Sequence, residues 1–197
     1  MAHSPVWKTL ERFVEIHSPW LTLIGEKLQD ERGHVCDYWR VEKADSAIIL
    51  PIWQQQLLLP VPTYRPGVGQ VTLDFPGGRI PTGQEPAAVV PAILSRELGI
   101  PEAESAIAYL TPLNPTGWLI NSSFSNQKLY GFVATLLPTA SFNPERLGNT
   151  YATTPEGIDA LLQALSCLQC RALLLEWWRM QTFVKKHKRT KDTEFFY

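Results

Sequence analysis

A glycine-rich turn at Phe75-Pro76-Gly77-Gly78 feeds a helix that ends on Gly99. A short strand, a tight turn and a helix of fixed length must therefore follow one another here. Pro86 suits a first helical position, where its missing N–H has no partner to lose. Pro91 does not suit a helix interior, because it removes a donor and clashes one turn back, at a cost of about 3 kcal/mol. The helix therefore kinks or begins at Pro91, and either outcome sets the aim of Glu97.

The surrounding apolar runs read as strands. Trp20 to Leu28 and His34 to Val41 flank a polar turn at Gln29 to Gly33 and predict a hairpin. Ala47 to Trp53 and Leu57 to Val61, around Gln54-Gln55-Gln56, predict a second strand pair. Val71 to Phe75, Ser105 to Leu110 and Tyr130 to Leu137 read as further strands, and Pro155 to Val184 as one long helix. Residues 1–43 are expected to form an N-terminal helix and hairpin appendage, 44–184 the main α/β domain, and 185–197 a basic, frayed tail.

From Gly78 onward the spacing resembles the Nudix box: Gly, five residues, Glu, seven residues, then Arg-Glu-apolar-any-Glu-Glu-any-Gly-apolar. Gly78 opens that register and Glu97-Leu98-Gly99-Ile100 closes it without a gap. Between them Gln84 replaces the first Glu, Ala92 the Arg, Ile93 the Glu beside it, and Arg96 the first member of the Glu pair. In an intact box three glutamates share one helical face and converge on a divalent ion. Here that face reads Ile93, Arg96, Glu97. A register shifted by one turn, with Arg96-Glu97-Leu98 as Arg-Glu-apolar, puts Ile100 and Pro101 where the Glu pair belongs, so either alignment leaves one helix carboxylate.

The resemblance extends to the ADP-ribose and nucleotide-sugar pyrophosphatase subgroup. Thr63-Tyr64-Arg65-Pro66 is similar to its Gln-Tyr-Arg-x-Pro segment, and Leu73 to Ile80 to its Glu-Leu-Pro-Ala-Gly-Lys-Ile. Leu113 to Trp118 resembles its Pro-Gly substrate loop, but no Asp or Glu lies between Tyr109 and Leu137 to serve as a base. The resemblance implies a Nudix-type α/β/α sandwich with an N-terminal β-hairpin and a long C-terminal helix. It implies a metal site of Mg²⁺ or Mn²⁺ on Glu97 and the Gly77 carbonyl, with Glu97 catalytic. Arg65, Gly78, Arg79, Arg96 and Trp118 become the substrate contacts. A guanidinium repels a divalent cation but clamps phosphate well, so Arg96 points equally to a metal-free anion site. Two readings follow: weak or lost hydrolysis of a nucleoside diphosphate derivative, or a non-catalytic ligand-binding or interaction module on the same scaffold.

Composition narrows the partners. The chain has 197 residues and a net charge of -1, which gives no general attraction to nucleic acid or anionic membranes. No apolar run approaches the ~18 residues of a membrane span, and a cytoplasmic protein is expected. The basic run Lys185 to Lys191 reads as a solvated tail, with a grip on RNA or acidic lipid as the alternative. Three cysteines, an odd count, fit a reducing compartment. Cys167 and Cys170 are expected to be core residues of the long helix, a redox or zinc pair being the alternative. His3, His17, His34 and His187 are scattered. Trp20, Trp39, Trp177 and Trp178 suit either a core or the interface of a homodimer.

Overall fold

The computed structural model describes residues 6–193 and divides into two compact units, one made of the chain up to Asp45 with Trp118–Leu129, the other of Ser46–Gly117 with the chain from Tyr130 onward. The first unit is a three-stranded antiparallel sheet of β1 (Lys8–His17), β2 (Thr22–Gln29) and β3 (Val35–Glu42), in that order. The β2–β3 hairpin is the predicted one. Its turn is held by Asp30, whose Oδ1 accepts from the N–H of Arg32 at 2.9 Å and of His34 at 2.8 Å. Glu26 is buried on β2 because Arg12 and Arg40 from the flanking strands both donate to it at 2.9 Å. The Arg40 hydrogen bond, then that of Arg12, holds the Glu26 carboxyl below its ordinary value despite burial.

The helix expected at the N-terminus is instead the strand β1. Its pairing with β2 shifts register between Thr9 and Glu11 and again between Arg12 and Val14. Each shift breaks the period-two alternation that announces a strand. The short strand β10 (Trp118–Leu119) completes this unit by pairing Trp118 with Leu129.

In the second unit β4 (Ser46–Trp53) and β5 (Gln56–Pro60) form the predicted strand pair. Positive φ at Gln54 (46°) and Gln55 (63°) gives the turn the left-handed backbone of a tight hairpin. A small separate hairpin, β6 (Thr63–Arg65) with β7 (Gln70–Thr72), precedes β8 (Gly77–Arg79), which pairs with β4. A 3-10 turn at Pro86–Val89 leads into α1 (Val90–Leu98), so Pro91 falls in the first helical turn, where it costs no hydrogen bond. After α2 (Ala103–Ala106) come β9 (Ile107–Pro112), β11 (Lys128–Leu136), β12 (Leu147–Ala152), α3 (Pro155–Ala164) and α4 (Leu168–Thr193). The sheet runs β11-β4-β5-β12, with β8 added on β4 and β9 on β11.

Alternation along β11 makes this sheet a middle layer. Phe132, Ala134 and Leu136 enter the buried cluster that contains Val90, Ile93, Leu94 and Leu98 of α1. Val133 and Thr135, with Ile52 of β4, instead line a space of about 310 Å³ closed by Trp177, Met180 and Gln181 of α4. Helix, sheet, helix is the expected sandwich. The single long helix expected from 155 to 184 is two helices broken at Leu165-Ser166-Cys167, and α4 continues through the basic run to Thr193. The last four residues of the expected tail lie outside the described ones. Among the described residues no helix is long and apolar enough to cross a membrane.

Candidate functional site

The turn and the helix end meet as their register requires. A Cβ built on Gly78 would lie 3.0 Å from Arg96 Nη2 and 3.1 Å from Ile93 Cγ1, so glycine lets α1 approach β8 without displacing these side chains. Gly99 closes α1 in the left-handed region at φ 62°. Past it, the Asn143 N–H donates to the Leu98 carbonyl at 3.2 Å and Arg146 Nη1 donates to the Arg96 carbonyl.

On the face that the resemblance assigns to metal, Ile93 is 2% exposed and belongs to the core. Arg96 Nη2 donates to the Gly77 carbonyl at 2.8 Å, and Arg96 Nε donates to Glu97 Oε1 at 2.8 Å. One guanidinium thus holds both oxygen groups expected to ligate Mg²⁺ or Mn²⁺. A divalent cation brought to them meets a fixed positive charge and a carbonyl already engaged. These residues as arranged do not fit the ion.

The other expected contacts lie on several elements. Arg79 is exposed at the end of β8, opposite Ser46. Gln84 is exposed in the loop before the helix. Trp118 belongs to the first unit, half-buried in β10, and does not share the unit that carries Arg65, Gly77, Gly78, Arg79, Arg96 and Glu97. Arg65 turns to Asp74, with Nε 2.9 Å from Oδ2, and Thr72 Oγ1 donates to the same oxygen at 2.8 Å.

That carboxylate leads to a cluster the sequence had placed in a core helix. Cys167 is not inside a helix: its carbonyl accepts from Arg171 N–H at 3.0 Å, the first bond of α4, and so it caps the helix. Its thiol is pushed down to about 6 by the hydrogen bond from Cys170, helped by the backbone N–H groups of Cys170 and Gln169. Cys170 is fully buried, and its thiol is pushed up by the same pairing and by burial. Cys170 Sγ lies 3.9 Å from Asp74 Oδ1. The two-residue spacing was legible; the carboxylate 96 residues away in sequence was not.

Beside the box loop, Glu85, Pro86 and Ala87 form one wall of a cavity of about 220 Å³ whose other walls include Asn114, Tyr130 and Phe132. Asn114 is buried there, and its Oδ1 accepts from the Gly131 N–H at 2.6 Å. An aromatic wall with a fixed amide beside it can receive a flat polar ring.

No known family profile matches the chain, and no curated protein matches it in sequence. In structure it is similar to an ADP compounds hydrolase, with a TM-score of 0.72 at 20% identity, over 96% of this chain and 98% of that one. The chain therefore shares the mixed α/β fold of that protein.

Proposed function

We propose that this protein binds a nucleoside diphosphate derivative of the ADP-ribose or nucleotide-sugar kind on a Nudix-type scaffold, with metal-dependent hydrolysis weak or lost. The observation that carries this reading is the Arg96 guanidinium bonded to both the Gly77 carbonyl and Glu97. A guanidinium has five N–H donors, more than these bonds use, and its side chain is 57% exposed. It can therefore offer a diphosphate the positive charge that a metal offers elsewhere. The likeness in fold to an ADP compounds hydrolase supports the ligand class. In the same reading Trp20 and Trp39, 71% and 46% exposed on the first unit, meet a second copy of the chain.

Calorimetric titration with ADP-ribose in the presence of a chelator tests the reading. Wild type should bind, raised salt should weaken binding, and Arg96→Glu should weaken it at least ten-fold. Robust Mn²⁺-dependent turnover by wild type, abolished by Glu97→Gln, would refute the proposal. Equal chelator-treated affinity in wild type and Arg96→Glu would remove Arg96 from the site. Light scattering that finds only monomer at high protein concentration would remove the second copy.

A further inference from the structure

Asp74, Cys167 and Cys170 converge from three places in the second unit: the approach to the glycine-rich turn, the cap of α4 and its first turn. One oxygen of Asp74 and the two Sγ atoms all lie within 4.8 Å of one another. We propose that these three residues form a Zn²⁺ site with two thiolate ligands and one carboxylate ligand, separate from the Arg96 site and independent of the ligand proposed there.

Four features carry the assignment. First, the donor set is right for the ion: zinc takes sulfur at about 2.3 Å and carboxylate oxygen at about 2.0–2.2 Å in a tetrahedron. Those bonds place donors about 3.5–3.8 Å apart. The observed 3.9 Å from Cys170 Sγ to Asp74 Oδ1 is already close to such an edge.

Second, Asp74 is oriented as a ligand. Arg65 and Thr72 both bond Oδ2, at 2.9 and 2.8 Å, and leave Oδ1 toward the sulfurs. Outer hydrogen bonds of this kind fix ligating carboxylates in metal sites.

Third, the charges call for a cation. With both thiols ionised the cluster carries three negative charges, and Arg65 supplies one positive charge beside them. A divalent ion brings the sum to zero. A disulfide would remove the Cys170 S–H that reaches Asp74 Oδ1 and leave the carboxylate facing two uncharged sulfurs.

Fourth, the site has an entrance. A cavity of about 390 Å³ is lined by Arg65, Gln70, Thr72, Asp74, Ser166 and Cys167. Three protein ligands and an open side allow water or a small anion to complete the tetrahedron.

The test uses the full chain, reduced and metal-free. Co²⁺ serves as the spectroscopic probe, followed by displacement with Zn²⁺. One equivalent of Co²⁺ should give a thiolate charge-transfer band with tetrahedral d–d absorption, and Zn²⁺ should abolish both. Cys167→Ser and Cys170→Ser should each weaken Co²⁺ binding at least ten-fold, and Asp74→Asn should weaken it while keeping the charge-transfer band. Cys36→Ser, at an exposed residue of the first unit, should change nothing.

Because a cysteine variant can fail to fold, a second measurement uses wild type alone. Zn²⁺ should slow alkylation of Cys167 at least ten-fold and leave that of Cys36 unchanged. The proposal is overturned if no charge-transfer band forms, or if the band survives in both cysteine variants. It is equally overturned if Zn²⁺ neither protects Cys167 nor slows oxidation of Cys167 and Cys170 to a disulfide, which would make the pair a redox dithiol.

Discussion

Arg96→Glu should convert a cation-filled site into a cation-binding one. In wild type the side chain makes two bonds of 2.8 Å, to the Gly77 carbonyl and to Glu97. Arg96 is 57% exposed and Glu97 29%, so the ion pair is screened and is worth about 0.2–1 kcal/mol rather than the value of a buried pair. The bond to the carbonyl adds about 0.5–1.5 kcal/mol. Loss of both, with two carboxylates now adjacent, should destabilise the metal-free variant by roughly 1–2 kcal/mol.

Mn²⁺ should reverse that loss in the variant alone, because two carboxylates and the Gly77 carbonyl now offer hard oxygen donors without an opposing charge. At a hundred-fold excess over the dissociation constant, a ligand bound only by the folded state adds about 2.7 kcal/mol. For a chain of this size that raises the melting midpoint by roughly 5–11 °C. Thermal melts of wild type and variant across a Mn²⁺ series, with a chelator control, measure it. An equal shift in wild type would show that Arg96 does not exclude metal. No shift in the variant would show that the oxygens cannot converge. Either result refutes the reasoning.

Three further outcomes follow from the geometry. Glu26→Gln should lower the urea-unfolding free energy of the first unit at neutral pH by about 1–3 kcal/mol for lost charge-assisted bonds; because the folded carboxyl is depressed by Arg40 and Arg12, this stability is full above the ordinary value of 4.5 and fades as pH falls below it, and a deficit as large well below 4.5 as at neutral pH would contradict that. Gly99→Ala puts a Cβ into Asn143 Cβ at φ 62°, so it should cost about 2–3 kcal/mol in equilibrium unfolding, and a neutral result would mean that the end of α1 shifts freely. In metal-free, reduced protein, iodoacetamide should label Cys167 with a pH midpoint near 6 while Cys170 stays unreactive; a midpoint in the ordinary thiol range would show that the hydrogen bond from Cys170, with the backbone N–H groups of Cys170 and Gln169 behind it, does not hold the thiolate.

Much of the fold was legible because its signals are local. Apolar runs placed β2 to β5 and β11, and the spacing from Gly78 to Gly99 placed α1 against the glycine turn. What failed has physical causes. Two bulges disguised β1 by breaking its alternation. The break before α4 was hidden because Leu165, Cys170, Leu173 and Leu174 are all buried, so an apolar period runs on across residues where the backbone leaves the helix. Leu165 ends α3 with extended backbone, φ -81° and ψ 119°, and its own N–H closes the last turn on the Leu161 carbonyl. Periodicity reports burial, and burial does not stop where a helix stops.

The candidate sites divide along the same line. That Arg96 stands where a glutamate belongs is a fact of spacing, and its consequence for metal could be argued from charge alone. Where the guanidinium goes could not, because its carbonyl partner lies 19 residues away on β8 and the choice between solvent, phosphate and carbonyl is made by tertiary packing. Ile93 decides it in part: buried under Gly78, it fixes the rotation of α1 about its axis. With Ile93 inward, residues 96 and 97 fall three and four positions later, on the same side of the helix and toward the turn. A glutamate at 93 would have to be buried in an apolar cluster or pull the helix round to reach an ion. Restoring charge at 96 alone is therefore the test that keeps the helix in place, whereas Ile93→Glu would disturb the packing that brings Arg96 to Gly77.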